Sequence, residues 1–268
     1  MPHPFDGVWA KVKRSREHRD CLDSLIRTTF EERDNLPRVG TKYDEGTGDH
    51  VVYVSHMPDL GDLIERASLL LGDSIHNLRS SLDHLAYALA DKFTRGNIKN
   101  PHRIEFPITD SDELWQKRLW RLSEVDPDDV AVIKSYQPYE AVSRAGQPQG
   151  SRTRLGMLRD LDDWDKHRLL TPVMIPGAGL QNAHPQALAI WMPSAFAMIN
   201  STQRFPPVRL NTVIARARFP DNVRLSDMEM AGYLAARLEV RDFDADPVEL
   251  IDAITERVAE IIGRFSPV

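Results

Sequence analysis

G-D-S-I-H-N-L-R-S-S-L-D-H-L, residues Gly72 to Leu85, strings two His, an Arg and an Asp along what reads as one uninterrupted helix. At about 100° per residue, His76, Arg79, Ser80, Asp83 and Tyr87 share one face, and Ile75, Leu78, Leu82, Leu85 and Leu89 form the opposite, apolar one. The apolar stripe needs a core to cover it, and the polar face gathers side chains that handle protons. Pro58 introduces this helix, which is expected to run from about residue 59 to 94 and to stop at Gly96. Gly61 and Gly72 each weaken it by about 1 kcal/mol relative to Ala, so each marks a kink or the close approach of a neighbour.

Working outward, residues 7–34 read as a helix with Trp9, Val12, Leu22, Leu25, Ile26 and Phe30 at three- and four-residue steps, ended by Leu36-Pro37 and Gly40. A short strand is expected at Val51–Ser55. Downstream, Arg103–Ile108 reads as an edge strand that tolerates Pro107. Two short helices follow. The second is signalled by Asp126 at the N-cap, Pro127 at N1 and two acids against the positive helix end, and it is closed by Gln137-Pro138-Tyr139. A further helix spans about 151–168. From Leu170 onward strands are expected at Thr171–Ile175, Ala187–Met192, Ala195–Ile199, Val208–Phe219 and Arg237–Phe243, before a last helix opened by Asp246-Pro-Val-Glu249 with Ile251, Ile254, Val258, Ile261 and Phe265 as its buried stripe.

The expected fold class is therefore α+β. An N-terminal helical layer (1–170) with one long central helix carries the candidate site, and a mainly antiparallel sheet closed by a terminal helix (171–268) packs with it as one globular unit.

At 268 residues, 41% hydrophobic and 28% charged, the chain has the composition of a globular protein with a real core. No apolar run approaches the roughly 20 residues that span a bilayer, and the N-terminus lacks a signal-peptide pattern, so the cytoplasm is the expected location. The lone cysteine, Cys21, excludes an intrachain disulfide. A net charge of −6 gives no field that draws nucleic acid or anionic lipid, and there is no DNA signal. The basic run Lys11–Arg19, five Lys or Arg in nine residues, is the best local patch, and its ordinary reading is a solvated helix face.

Charge on the apolar arc of the 151–168 helix points to a partner. Leu155, Leu158, Leu161 and Leu169 mark that arc, with Asp165 in its middle and Asp162 and Arg168 at its margins. Buried charge must be paired, so Asp165, Lys166, His167 and Arg168 are expected to pack against His76, Arg79, Asp83 and His84. A structural ion-pair network joining two helices is one outcome. A metal centre from His76, His84 and His167 is another, although His76 and His84 stand eight residues apart and lack a compact ligand spacing. Ser80 or Ser81 has no nucleophile elbow, and no phosphate-binding glycine loop exists.

The combination of this stretch with F-P-I at 106–108, Q-P-Y at 137–139 and D-K-H-R at 165–168 resembles a widespread set of uncharacterised bacterial proteins, notably actinobacterial ones, without an established activity. Arg79-Ser-Ser-Leu-Asp-His84 also resembles the Arg-x4-His signature of HEPN domains. That resemblance implies a metal-independent endoribonuclease or RNA-binding effector of toxin or phage-defence type. His84 would be the general base or acid at the ribose 2′-OH and Arg79 would stabilise the phosphorane, with His76 and Asp83 beside them and no cofactor. RNA and a second copy of the chain are then the candidate partners. The alternatives are a non-enzymatic small-ligand-binding or structural protein, and a His/Asp metal-dependent hydrolase.

Overall fold

The apolar stripe of the central stretch is fully buried. In the computed structural model, which describes residues 5–146, 153–166, 170, 173–181, 210–217, 232–240, 243 and 245–265, Gly61–Thr94 is a single helix, α2. Ile75, Leu78, Leu82 and Leu85 have no exposed surface and Leu89 almost none. Helix α1 (Asp6–Glu31) meets α2 through small side chains: the hydroxyls of Ser15 and Ser74 lie 2.7 Å apart, and Ser74 Oγ also donates to the Ser15 carbonyl at 3.1 Å. Both serines are buried, so each hydroxyl finds its partner within this crossing.

Four short helices and one long one complete this helical unit. They are α3 (Asp112–Arg118), α4 (Pro127–Ser135), α5 (Pro138–Arg144), α6 (Arg154–Asp165) and α7 (Pro247–Gly263). Their starts are chemically explicit. Ser111, Asp126, Thr153 and Asp246 each accept a hydrogen bond from a first-turn N–H, and Pro127, Pro138 and Pro247 stand where no N–H is needed. Pro138 thus opens α5, where the sequence reading has Q-P-Y only closing the helix before it. Ile251, Ile254, Val258 and Ile261 of α7 are wholly buried. Arg19 of α1 clamps Asp252 of α7 with Nε donating to Oδ1 at 2.9 Å and Nη2 to Oδ2 at 2.6 Å. The basic run is therefore no uniform solvated face, since Val12 and Ser15 are buried and Arg19 is engaged.

The second unit is a five-stranded sheet in the order β3-β5-β1-β2-β4, with antiparallel pairing throughout. Its strands are β1 (Arg38–Asp44), β2 (Asp49–His56), β3 (Val173–Gln181), β4 (Val213–Ala217) and β5 (Gly232–Glu239). The sequence reading has no β1, because Gly40 reads as a helix stop. Gly40 has another purpose: a Cβ there would sit 3.2 Å from Ser55 Cβ and 3.4 Å from the Tyr53 ring, so its bareness lets the two strands close. The expected strands at 187–192 and 195–199 lie outside the described residues.

Two expectations change. Residues 104–109 belong to no sheet, and side chains instead of a neighbouring strand take the backbone groups of Phe106, Pro107 and Thr109. The units also divide the chain otherwise than at residue 170. Residues 5–24, those from Glu65 to the end of α6, and residues 245–265 form the helical unit, whereas Leu25–Ile64 belongs with strands β3 to β5. The β1–β2 hairpin is thus part of the sheet, and α7 is part of the helical unit. The fold is α+β, and among the described residues no helix is long and apolar enough to cross a membrane.

Candidate functional site

Arg79 is 9% exposed and engages two carboxylates through one guanidinium nitrogen. Its Nη2 lies 2.9 Å from Glu105 Oε1 and 3.0 Å from Asp83 Oδ1, one turn along α2. Asp83 Oδ1 also accepts the Phe106 N–H at 2.9 Å, and Arg121, in the 3-10 turn after α3, pairs with the other oxygen of Glu105. Burial pushes the Asp83 carboxyl above the usual carboxylate range despite the Arg79 charge and the Phe106 N–H, and Asp162 adds to the rise. Two guanidinium N–H groups, Arg79 Nη1 and Arg121 Nε, are buried without an acceptor among the described residues. The motif segments join here. Gln137, wholly buried, accepts from the Thr109 N–H at 2.9 Å and donates to the Pro107 carbonyl at 2.9 Å, so the glutamine of Q-P-Y holds the F-P-I segment in place.

One turn towards the N-terminus of α2 the same face opens. The His76 side chain is 62% exposed, with Nδ1 3.5 Å from Oδ1 of the buried Asp162. Lys166, at the end of α6, donates to Asp162 Oδ2 at 2.6 Å. The α6 carboxylate that meets His76 is thus Asp162, one turn before the expected Asp165. Asp165 does approach α2, but at Gly72, where a Cβ would come within 2.8 Å of its carboxyl carbon. Gly72 is therefore a point of close approach. Burial, followed by the neighbouring Asp162 and Asp73, raises the Asp165 carboxyl, and His76 opposes that rise.

His84 stands apart from Arg79. Five residues along a helix separate two side chains by about 140°, and His84 Nδ1 lies 3.3 Å from the place a Cβ on Gly7 of α1 would take. Burial and then Lys11 lower its imidazole pKa. The structure therefore gathers His76, Asp162, Asp165 and Lys166 on one side, with Arg79 and Asp83 behind them, and turns His84 towards α1. His167 and Arg168 lie outside the described residues. Among those described, no three His, Cys, Asp or Glu side chains form a metal-binding group, and Ser81 spends its hydroxyl on the Leu78 carbonyl at 2.7 Å.

Glu105 and Arg121 are the residues sequence reasoning missed. Glu105 immediately precedes F-P-I, and Arg121 lies between Trp120 and Leu122 in a segment of three residues without period. Only the proximity of the first to a motif was a signal. The whole cluster has Asp73, Asp83, Glu105, Asp162 and Asp165 against Arg79, Arg121 and Lys166, an excess of carboxylates that repels a polyanion. Chemically, the closed half can hold elements together, and the open half presents an exposed imidazole beside a buried carboxylate. No family model matches the chain, and neither a curated protein nor a solved structure is similar enough to count as its relative.

Proposed function

We propose that the charged face of α2 is the structural core of a non-enzymatic, small-ligand-binding protein. The observation that carries this reading is the state of Arg79. It is buried, it is neutralised by Asp83 and Glu105, and it points away from His84. To stabilise a phosphorane it would have to leave two partly buried carboxylates behind, and breaking such a pair costs several kcal/mol. The excess of carboxylates around it also works against binding a phosphodiester.

The HEPN-like ribonuclease is the competing proposal, and one experiment separates the two. Purified protein is incubated with single-stranded RNA in excess EDTA. The expected result is no cleavage, together with a His84→Ala variant that folds like the parent and an Arg79→Gln variant that is destabilised. A 2′,3′-cyclic phosphate product that disappears in His84→Ala, with folding intact, overturns the non-enzymatic reading.

A second reading has its own support. An exposed imidazole whose Nδ1 faces a buried carboxylate is the arrangement of a general base. On that reading His76 moves the proton, Asp162 orients it and Lys166 stabilises developing negative charge. A hydrolytic activity on any carboxylic or phosphoric ester that is lost in His76→Gln at unchanged stability would favour it.

A further inference from the structure

Away from the α2 cluster, the helical unit contains a cleft of about 500 Å³ between the end of α4, helix α5 and the last two turns of α7. That volume falls within the usual range of small-molecule sites. Arg257 of α7 and Arg264 at its C-cap line it, and seven residues of helical backbone bring two side chains to nearly the same face. The two cations differ. Arg257 has a partner in Glu260, with Nη1 donating to Oε2 at 2.7 Å, and its guanidinium lies 4.7 Å over the Tyr136 ring. Arg264 has no ion-pair partner among the described residues, and it stands just past the end of α7 at the C-cap. The opposite wall is Ala141 and Ala145, one turn apart on α5 and beyond its end, and their short side chains keep the space open.

We propose that this cleft binds a small monoanion with a flat apolar body, an aromatic carboxylate in chemical class. The assignment rests on the non-enzymatic, ligand-binding reading above. Its charge sets the class: two arginines and one glutamate leave a single positive charge, which suits one carboxylate, whereas Glu260 repels a phosphate dianion. A guanidinium takes a carboxylate in a paired, two-point fashion. Arg264 supplies that fork, and the Tyr136 ring with the alanine wall covers the apolar body. Arg257, already held by Glu260 and Tyr136, fixes the depth of the site.

The test uses the full chain and 4-fluorobenzoate, observed by fluorine NMR, with 4-fluorobenzamide as the uncharged probe and inorganic phosphate as the dianion. Saturable 1:1 binding of the benzoate at or below about 1 mM is expected, with the amide and phosphate at least about tenfold weaker. Arg264→Gln should weaken the benzoate about tenfold or more with an unchanged melting temperature, because the residue is exposed. Ala145→Leu, which fills the wall from an exposed position, should abolish binding and serves as an independent second variant. No saturable benzoate binding, equal binding of amide and acid, or an unchanged affinity in Arg264→Gln overturns the site. Those outcomes leave the non-enzymatic reading standing, since that reading falls only to catalysis in the RNA or ester assays.

Discussion

One face of α2 contains two kinds of site within three residues of each other. At Arg79 a buried guanidinium lies between two partly buried carboxylates, each of which has a partner. At His76 the imidazole is exposed over a buried Asp162, and Asp165 is pressed against a glycine among like charges. The difference comes from what packs outside the helix. The 104–109 segment and the turn containing Arg121 close over the first half, whereas α6 flanks the second. Identical residue types thus become a lock in one place and available groups in the other. Density of titratable residues on a helix does not by itself mark an active site.

The sharpest way to break this contrast is to remove the lock. Arg79→Gln leaves Asp83 without its cation and Glu105 with Arg121 alone, so a loss of about 3 kcal/mol is expected in denaturant unfolding. A loss below about 1 kcal/mol would put the closed half on a par with the open one. Gln137→Leu tests the same half from behind. It strands the Thr109 N–H and the Pro107 carbonyl, and a loss of about 2 kcal/mol is expected. If the stability is unchanged, the F-P-I segment is held by something other than this glutamine.

Gly72→Ala probes where the two halves meet α6. Helix propensity alone favours Ala by about 1 kcal/mol, but the new Cβ would overlap the Asp165 carboxylate, so a net destabilisation of about 1 kcal/mol is expected. In an Asp165→Ala background the same change should become stabilising. A stabilising Gly72→Ala in the parent would mean that the carboxylate simply swings aside.

The smallest effect concerns pH. Burial beside Asp162 and Asp73 raises the Asp165 carboxyl, so the folded state holds that proton more tightly than the unfolded chain does. Its penalty on stability therefore grows as pH rises from the ordinary carboxylate value through the raised folded one. Asp165→Asn should raise the melting temperature slightly at neutral pH, and the gain should vanish below the ordinary carboxylate pKa. A pH-independent gain would assign the effect to packing. Combining Asp165→Asn with Arg79→Gln should give additive changes, because the structure pairs Arg79 with Asp83 and Glu105.

What the sequence determined by itself was local and periodic. The α2 stripe from Ile75 to Leu89, the α7 stripe from Ile251 to Ile261 and the Asp-Pro starts of α4 and α7 follow from helix geometry and from orphan N–H groups that neighbouring side chains must satisfy. The polar face of α2 was legible for the same reason, as was the attraction of the α6 acids to it. Only the tertiary structure decided the rest. β1 was hidden because Gly40 serves a cross-strand approach whose partners, Tyr53 and Ser55, are chosen by pairing. The 104–109 segment has the composition of a strand, yet Asp83 and Gln137, more than twenty residues away in either direction, take the hydrogen bonds a neighbouring strand would have taken. The choice of Asp162 over Asp165 as the His76 partner, and the divergence of His84 from Arg79, depend on the rotation and depth at which α6 and α1 sit against α2. Periodicity fixes which residues share a face of one helix, but it carries no information about what the neighbouring segment brings to that face.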